Sequence, residues 1–454
     1  MIVENSNELQ RSMDNRHIQL IAIGGAIGTG LFLGAGKSIS LAGPSLLLAY
    51  IIIGLFLFLM MRAMGEILLS DLRYNSFTDF ANHYLGDFVG FLTGWTYWFC
   101  WVMTGIADVT AVTKYINFWW PDFPAWLTAI ITVFLLILLN MFTAKIFGEL
   151  EFWFALIKVV AIIALILIGS YLILTQFKSP SGSVASLNNL TQHDGFFPKG
   201  LHGFLLAFQM AVFSFVGIEL VGVAAKETKD PTKTLPKAIN SIGVRILIFY
   251  VLSLLIIMCI TPWNQINPAE SPFVSLFTLA GIPAAAGIVN FVVLTSAASA
   301  GNSGVYSNSR MVYGLSKQNY APAAFEKTNK RGVPQNALLF SGVVMFLAAI
   351  LNFIIEDVFT FVTSVATICF IFIWSVIMIS YIKYRKVNPQ LHGKSVFKMP
   401  LGVFGCYITL IFFAILLGLL TLAEDTRIAL ILTPIWFIML ALCYKVFVNK
   451  KTTY

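Results

Sequence analysis

The sequence predicts an all-α integral membrane protein with twelve transmembrane helices, arranged as a five-plus-five inverted repeat followed by two further helices. Three observations lead there. Apolar residues make up 58% of the 454 residues and charged residues 11%, whereas soluble domains run at about 45–50% and about 25%. The apolar residues are gathered into runs long enough to cross a bilayer, which takes about 20 residues as a helix. The basic residues collect on one alternate set of the loops between those runs. With 29 basic and 21 acidic residues, the chain lacks the polar surface that a soluble enzyme of this size requires. A mean hydropathy of +0.84 excludes a disordered chain as well.

The runs cover residues 18–40, 43–62, 88–113, 124–144, 152–176, 201–225, 240–262, 283–309, 336–355, 358–382, 400–422 and 428–447. Turn-like segments separate them, among them Ala42-Gly43-Pro44, Trp120-Pro121-Asp122-Phe123-Pro124 and Ser179-Pro180-Ser181-Gly182. Strands of a membrane barrel would be near ten residues long and would alternate strictly, and these runs do neither. With the N-terminus placed in the cytoplasm, 23 of the 29 basic residues fall on cytoplasmic segments and their flanks, five fall outside, and Lys158 lies within a span. That asymmetry puts both termini inside. It also accounts for the net charge of +8 without a nucleic-acid partner. The expected organisation is a cytoplasmic tail (1–17), a first five-helix repeat (18–176), an outer loop (177–200), a second, inverted repeat (201–382), a cytoplasmic loop (383–399), two final helices (400–447) and a short cytoplasmic tail (448–454). No cleavable signal peptide is expected, because the first apolar run carries no small-residue cleavage site at a suitable distance.

Several motifs mislead. Gly36-Lys37-Ser38 resembles the end of a phosphate-binding loop, but the position that loop needs as glycine is Leu31, and no strand precedes it. The five cysteines show no CxxC spacing and read as buried thiols. The five histidines are scattered near loops, so no metal site is expected. No Ser/His/Asp set shares a membrane depth, so neither an enzyme nor a cofactor is expected.

The informative residues are those that a lipid-facing helix should not contain. Asp108 in the third run, Lys158 in the fifth and Glu219 in the sixth are ionisable groups inside spans. Each costs about 2.5–3.5 kcal/mol on insertion scales, so such groups face a bundle interior or a cavity, as functional groups or as structural pairs. The first run reads Gly24-Gly25-Ala26-Ile27-Gly28-Thr29-Gly30-Leu31-Phe32, and its glycines fit either a broken helix or close helix packing. The sixth reads Phe213-Ser214-Phe215-Val216-Gly217-Ile218-Glu219, with a central glycine and polar neighbours. Runs one and six occupy matching positions if ten spans form two halves of five. An odd number per half gives the halves opposite orientations, the plan in which paired helix breaks mark a transport site.

At such a break, backbone N–H groups of Gly28, Thr29 and Gly30 would hold a carboxylate at the positive end of a helix dipole. Carbonyls near Ala26, Phe213 and Ser214 would hold an ammonium group. Charges of opposite sign on one carbon describe an α-amino acid. Phe213 and Phe215 would close the pocket. No ATP motif is present, so an ion gradient is the expected energy source. Lys158 would occupy the place of a coupling cation, and Glu219 would carry a proton. A static Lys158–Glu219 pair is the alternative.

Asn15-Arg16-His17-Ile18-Gln19 running into that first glycine-rich stretch resembles the opening of bacterial permeases of the amino acid–polyamine–organocation superfamily. Glu227-Thr228-Lys229-Asp230-Pro231 with Leu235-Pro236-Lys237, and Asn302-Ser303-Gly304 with Ser309-Arg310, resemble two further family signatures. Gly94-Trp95-Thr96-Tyr97-Trp98 with Gly105-Ile106-Ala107-Asp108, and Lys398-Met399-Pro400-Leu401-Gly402, resemble the subgroup that takes D-serine, D-alanine and glycine. The resemblance implies proton-coupled import of small neutral amino acids, L-alanine and L-serine included, across a bacterial inner membrane. It places carboxylate binding on Gly28, Thr29 and Gly30, amine binding around Ala26 and on 213–217, Gly217 included, and Lys158 where sodium-coupled relatives hold an ion. Relatives with bulky cationic substrates carry a polar side chain in the third span facing the ligand. Here that position is Gly105, flanked by Thr104, with Asp108 one turn further on. The rival expectations are an exchanger without ion coupling and a family permease for aromatic residues, lysine, proline or 4-aminobutyrate. The expected partners are zwitterionic amino acids, protons and the lipid bilayer.

Overall fold

The computed structural model describes residues 27–74, 76–180, 182–224, 230–279, 281, 283–350 and 357–448. Among them the only pairing of extended backbone is an isolated antiparallel bridge between Lys178 and Val184. The helices are α1 (Thr29–Phe32), α2 (Gly34–Ala42), α3 (Leu46–Ser70), α4 (Phe77–Leu85), α5 (Asp87–Asn117), α6 (Ala125–Asn140), α7 (Ala144–Leu174), α8 (Gly200–Leu206), α9 (Phe208–Phe213), α10 (Leu220–Ala224), α11 (Pro231–Asn240), α12 (Ile242–Arg245), α13 (Ser253–Ile260), α14 (Pro272–Leu279), α15 (Pro283–Lys317), α16 (Gln335–Ala349), α17 (Val358–Val387), α18 (Pro389–Lys394), α19 (Gly402–Leu419) and α20 (Glu424–Cys443). A π-helical stretch, Ile246–Leu252, joins α12 to α13. Among the described residues, seven helical segments are long and apolar enough to cross a membrane, and three shorter apolar helices accompany them. The chain is a multi-pass membrane protein.

Local chemistry sets the helix ends. Gly43 (φ +58°) and Pro44 make the turn between α2 and α3. Gly86 (φ +91°) separates the short α4 from α5. The Thr143 hydroxyl caps α7 by accepting from the Ile146 N–H. That cap starts α7 at Ala144, eight residues before the apolar run begins, and so carries Glu151 into the helix. Helices α4, α14 and α18 lie in segments read from the sequence as loops, since each has at most nine residues and too little apolar length to register as a span.

Helices α5, α15 and α17 form the centre. Small residues let α5 and α15 approach closely: a Cβ on Gly304 would sit 2.8 Å from the Trp101 ring, and one on Gly94 would sit 2.5 Å from Leu315. The apolar stretch of α17 is 83% buried, against 11% for that of the final helix, α20. α17 is therefore a core helix, and α20 presents most of its surface to the surroundings.

Candidate substrate-binding site

The sixth apolar run is interrupted. α9 ends at Phe213, residues 214–219 form a series of turns, and α10 resumes at Leu220. The hydrogen bonds first tighten to i→i−3, from Phe215 N–H to Val212 O (3.0 Å) and from Val216 N–H to Phe213 O (3.0 Å). Gly217 then takes φ +96°, which removes the chain from the helix direction. Aromatic residues hold the turn. Tyr250 donates its hydroxyl to the Ser214 carbonyl (2.9 Å), the Tyr50 and Ser214 hydroxyls pair at 3.1 Å, and Phe215 stacks on Tyr250 with centroids 4.7 Å apart.

In the first run a helix starts at mid-span. Gly28 is extended (φ −129°, ψ −157°), and α1 begins at Thr29. α1 passes through Leu33 into α2 by the bonds Leu33 N–H to Thr29 O (2.8 Å) and Gly36 N–H to Leu33 O (3.3 Å). The first N–H groups of a helix have no partner within that helix, so the start at Thr29 supplies the polar groups such a site offers. Ala26, expected to supply a carbonyl, lies outside the described residues. The next carbonyl, that of Ile27, accepts from the Ser296 hydroxyl of α15 (3.1 Å).

The two starting points touch. A Cβ on Gly30 would lie 2.6 Å from Ser214 Cα and 3.1 Å from the Phe213 ring. Only a glycine permits that approach of the first run to the interruption in the sixth. Gly28 is looser, with its nearest neighbour, the Ala300 Cβ, at 3.4 Å from such an atom.

Two buried acid clusters flank this contact. Thr29 donates its hydroxyl to Asp108 Oδ1 (2.8 Å), and Asp108 Oδ2 has no hydrogen-bond partner among the described residues. Lys158 donates to the Ser299 hydroxyl (3.1 Å), which donates to Glu151 Oε2 (2.8 Å). Asn302 donates to Glu151 Oε1 (2.8 Å) and accepts from Asn140 (2.8 Å). Glu219 stands in a different cluster, where Tyr97 donates to its Oε1 at 3.4 Å.

Several expected site residues are placed otherwise than expected. The Phe215 ring is committed to Tyr250 and Tyr50, which leaves Phe213 as the ring next to Gly30. The Ser214 carbonyl is already engaged by Tyr250. Gly105 faces α16, where Met345 Sδ would be 2.5 Å from its Cβ, so its smallness serves helix packing. The Thr104 hydroxyl bonds back to its own helix at the Cys100 carbonyl (2.9 Å). Asp108 is the third-span residue that reaches Thr29. Glu151, Ser296, Ser299, Tyr50 and Tyr250 were not among the expected site residues. Glu151 and Lys158 are seven residues apart, two helical turns on one face of α7, which is the signal that pairs them.

A family model for amino acid permeases matches residues 17–453. The chain belongs to the amino acid permease family. It is 55% identical over 446 residues to the D-serine/D-alanine/glycine transporter of Escherichia coli K12, covering 98% of this chain and 95% of that protein. It is 56% identical over 440 residues to the amino-acid permease AapA of Bacillus subtilis, with 97% and 95% covered. The aromatic amino acid transport protein AroP of Escherichia coli O6:H1 is 40% identical over 442 residues, with 97% and 96% covered. Family and relatives alike are transporters.

Proposed function

We propose that this permease imports small neutral amino acids, chiefly D-alanine, D-serine and glycine with L-alanine and L-serine as further candidates, by proton symport across a bacterial inner membrane. The observation that carries the binding mode is the contact of Gly30 with Ser214 and Phe213, which joins the helix start at Thr29 to the turn at 214–219. N–H groups of Gly28, Thr29 and Gly30 hold the carboxylate. Backbone carbonyls of the two interruptions hold the ammonium group, and Phe213 closes over the substrate. The proposed frame is twelve spans with both termini cytoplasmic, two inverted halves at 18–176 and 201–382, and a final pair at 400–447. The 55% identity to a D-serine/D-alanine/glycine transporter, against 40% to an aromatic one, supports the small-substrate reading.

Lys158 and Glu219 are the proposed groups of the coupling path, with Asp108 beside the carboxylate end. The Lys158–Ser299–Glu151 chain favours a second reading, in which Lys158 is a fixed wedge and the protein exchanges one amino acid for another. Uptake of labelled D-alanine, glycine and L-lysine into proteoliposomes, with and without a proton gradient, separates these. Gradient-driven accumulation of D-alanine and glycine is expected. Lysine transport without glycine transport overturns the substrate class. Uptake that survives collapse of the gradient but requires internal amino acid establishes exchange.

A further inference from the structure

The site lies below a charged cluster that the binding mode does not use. Lys37, in the first turns of α2, donates to the Thr360 hydroxyl of α17 (2.8 Å) and to Asp425 Oδ2 of α20 (2.9 Å), and Asp357 Oδ2 stands 3.6 Å away. Its side chain is 29% exposed, so the ammonium is partly withdrawn from water while the carboxylates of Asp357 and Asp425 remain wetter. Between this cluster and Gly30 lies Phe359, one residue before Thr360. It meets Phe213 edge-on with centroids 6.5 Å apart, and the Lys114 ammonium stands 5.9 Å from its ring centroid. One helical segment thus carries the proposed carboxylate site at Thr29 and Gly30 and, about two turns later, the cation that ties it to α17 and α20.

We propose that Lys37 is a positioning residue for transport. Through Asp425 and Thr360 it latches α2 to the first turns of α17 and α20, seating Phe359 on Phe213 and closing the outer approach to the site. The final helix, peripheral in the bundle, supplies the counter-charge. Substrate enters from outside only when these bonds open, and their strength sets how much of the protein faces outward. The inference rests on the proposed orientation and binding mode, because it takes this end as the outer one and Phe213 as the pocket wall.

The test uses Thr363→Cys, a buried position one helical turn beyond Phe359 on α17, and follows its labelling by a membrane-impermeant maleimide added to intact cells. The parent protein, whose five cysteines are natural, provides the background. Lys37→Met and Asp425→Asn should each speed labelling about two- to fivefold, the population change that one partly exposed charge pair supports. The charge exchange of Lys37→Asp with Asp425→Lys should return it towards the parent rate, and Lys37→Arg should leave it slow. In the protein without the added cysteine, Lys37→Met should lower the apparent KM for external D-alanine by a similar factor, since more molecules face outward. Unchanged labelling in both single variants overturns the latch, and labelling only from the cytoplasmic side overturns its placement at the outer face. If Lys37→Met fails to reach the membrane, Asp425→Asn decides alone. A parent protein that does not bind D-alanine refutes the substrate reading and leaves the labelling result intact.

Discussion

At the scale of single residues, the site turns on which side chains are absent. The backbone of Gly30 lies so close to Ser214 that any Cβ meets main-chain atoms, which cannot swing aside as a flexible side chain would. Gly30→Ala should therefore cost about 1–3 kcal/mol of packing energy and separate the helix start at Thr29 from the turn at 214–219. The expected result is loss of D-alanine binding by titration calorimetry from protein that still inserts in the membrane. Gly28→Ala, with its neighbour at 3.4 Å, should be milder. Unchanged affinity in Gly30→Ala would remove this contact from the site. Among the charged residues, Ser299 links Lys158 to Glu151. Ser299→Ala should reduce gradient-driven accumulation more than substrate exchange, and equal loss of both would mark the chain as structural. Glu219→Gln should change the pH profile of uptake, since it replaces a fully buried carboxyl group with an amide that cannot carry a proton. An unshifted profile would take Glu219 out of the proton path.

At the scale of elements, the interruption of the sixth run depends on one positive φ and a clamp of tyrosines. Gly217→Ala forces a side chain into the left-handed region at a cost of about 1–2 kcal/mol. Tyr250→Phe frees the Ser214 carbonyl and loses a hydrogen bond worth about 1 kcal/mol. Both should lower the unfolding temperature in detergent. Only Gly217→Ala should also raise the KM for D-alanine severalfold, because it changes where the turn points. The sequence pattern marked this element well: a glycine and polar groups amid an apolar run have few uses besides a break or a close contact. It did not show the direction of the rings. Phe213 and Phe215 are two residues apart, and which of them meets Gly30 is decided by Tyr50 and Tyr250, which are remote in sequence. Gly105 shows the same limit, since a missing side chain looks alike in sequence whether it makes room for a ligand or for Met345.

At the scale of the whole molecule, the peripheral position of α20 beside the buried α17 predicts separable roles. Substitutions on the outward face of α20, such as Ile435→Ala at an exposed position, should leave transport within about twofold of the parent. Asp425→Asn at the start of the same helix should alter the outward-facing population. Labelled-substrate uptake measures both, and a large loss in Ile435→Ala would show that the outer face is an interaction surface. Amino-acid order by itself determined the class, the membrane setting, the family and the interruption of the sixth run, because hydropathy, charge asymmetry and glycine placement are properties of consecutive residues read against a bilayer. Only the tertiary structure decided that Gly30 meets Ser214, that Lys158 reaches Glu151 through Ser299, and that Lys37 is tied to a helix nearly four hundred residues later. Those contacts join distant segments, and their geometry follows from how whole helices pack rather than from any local pattern.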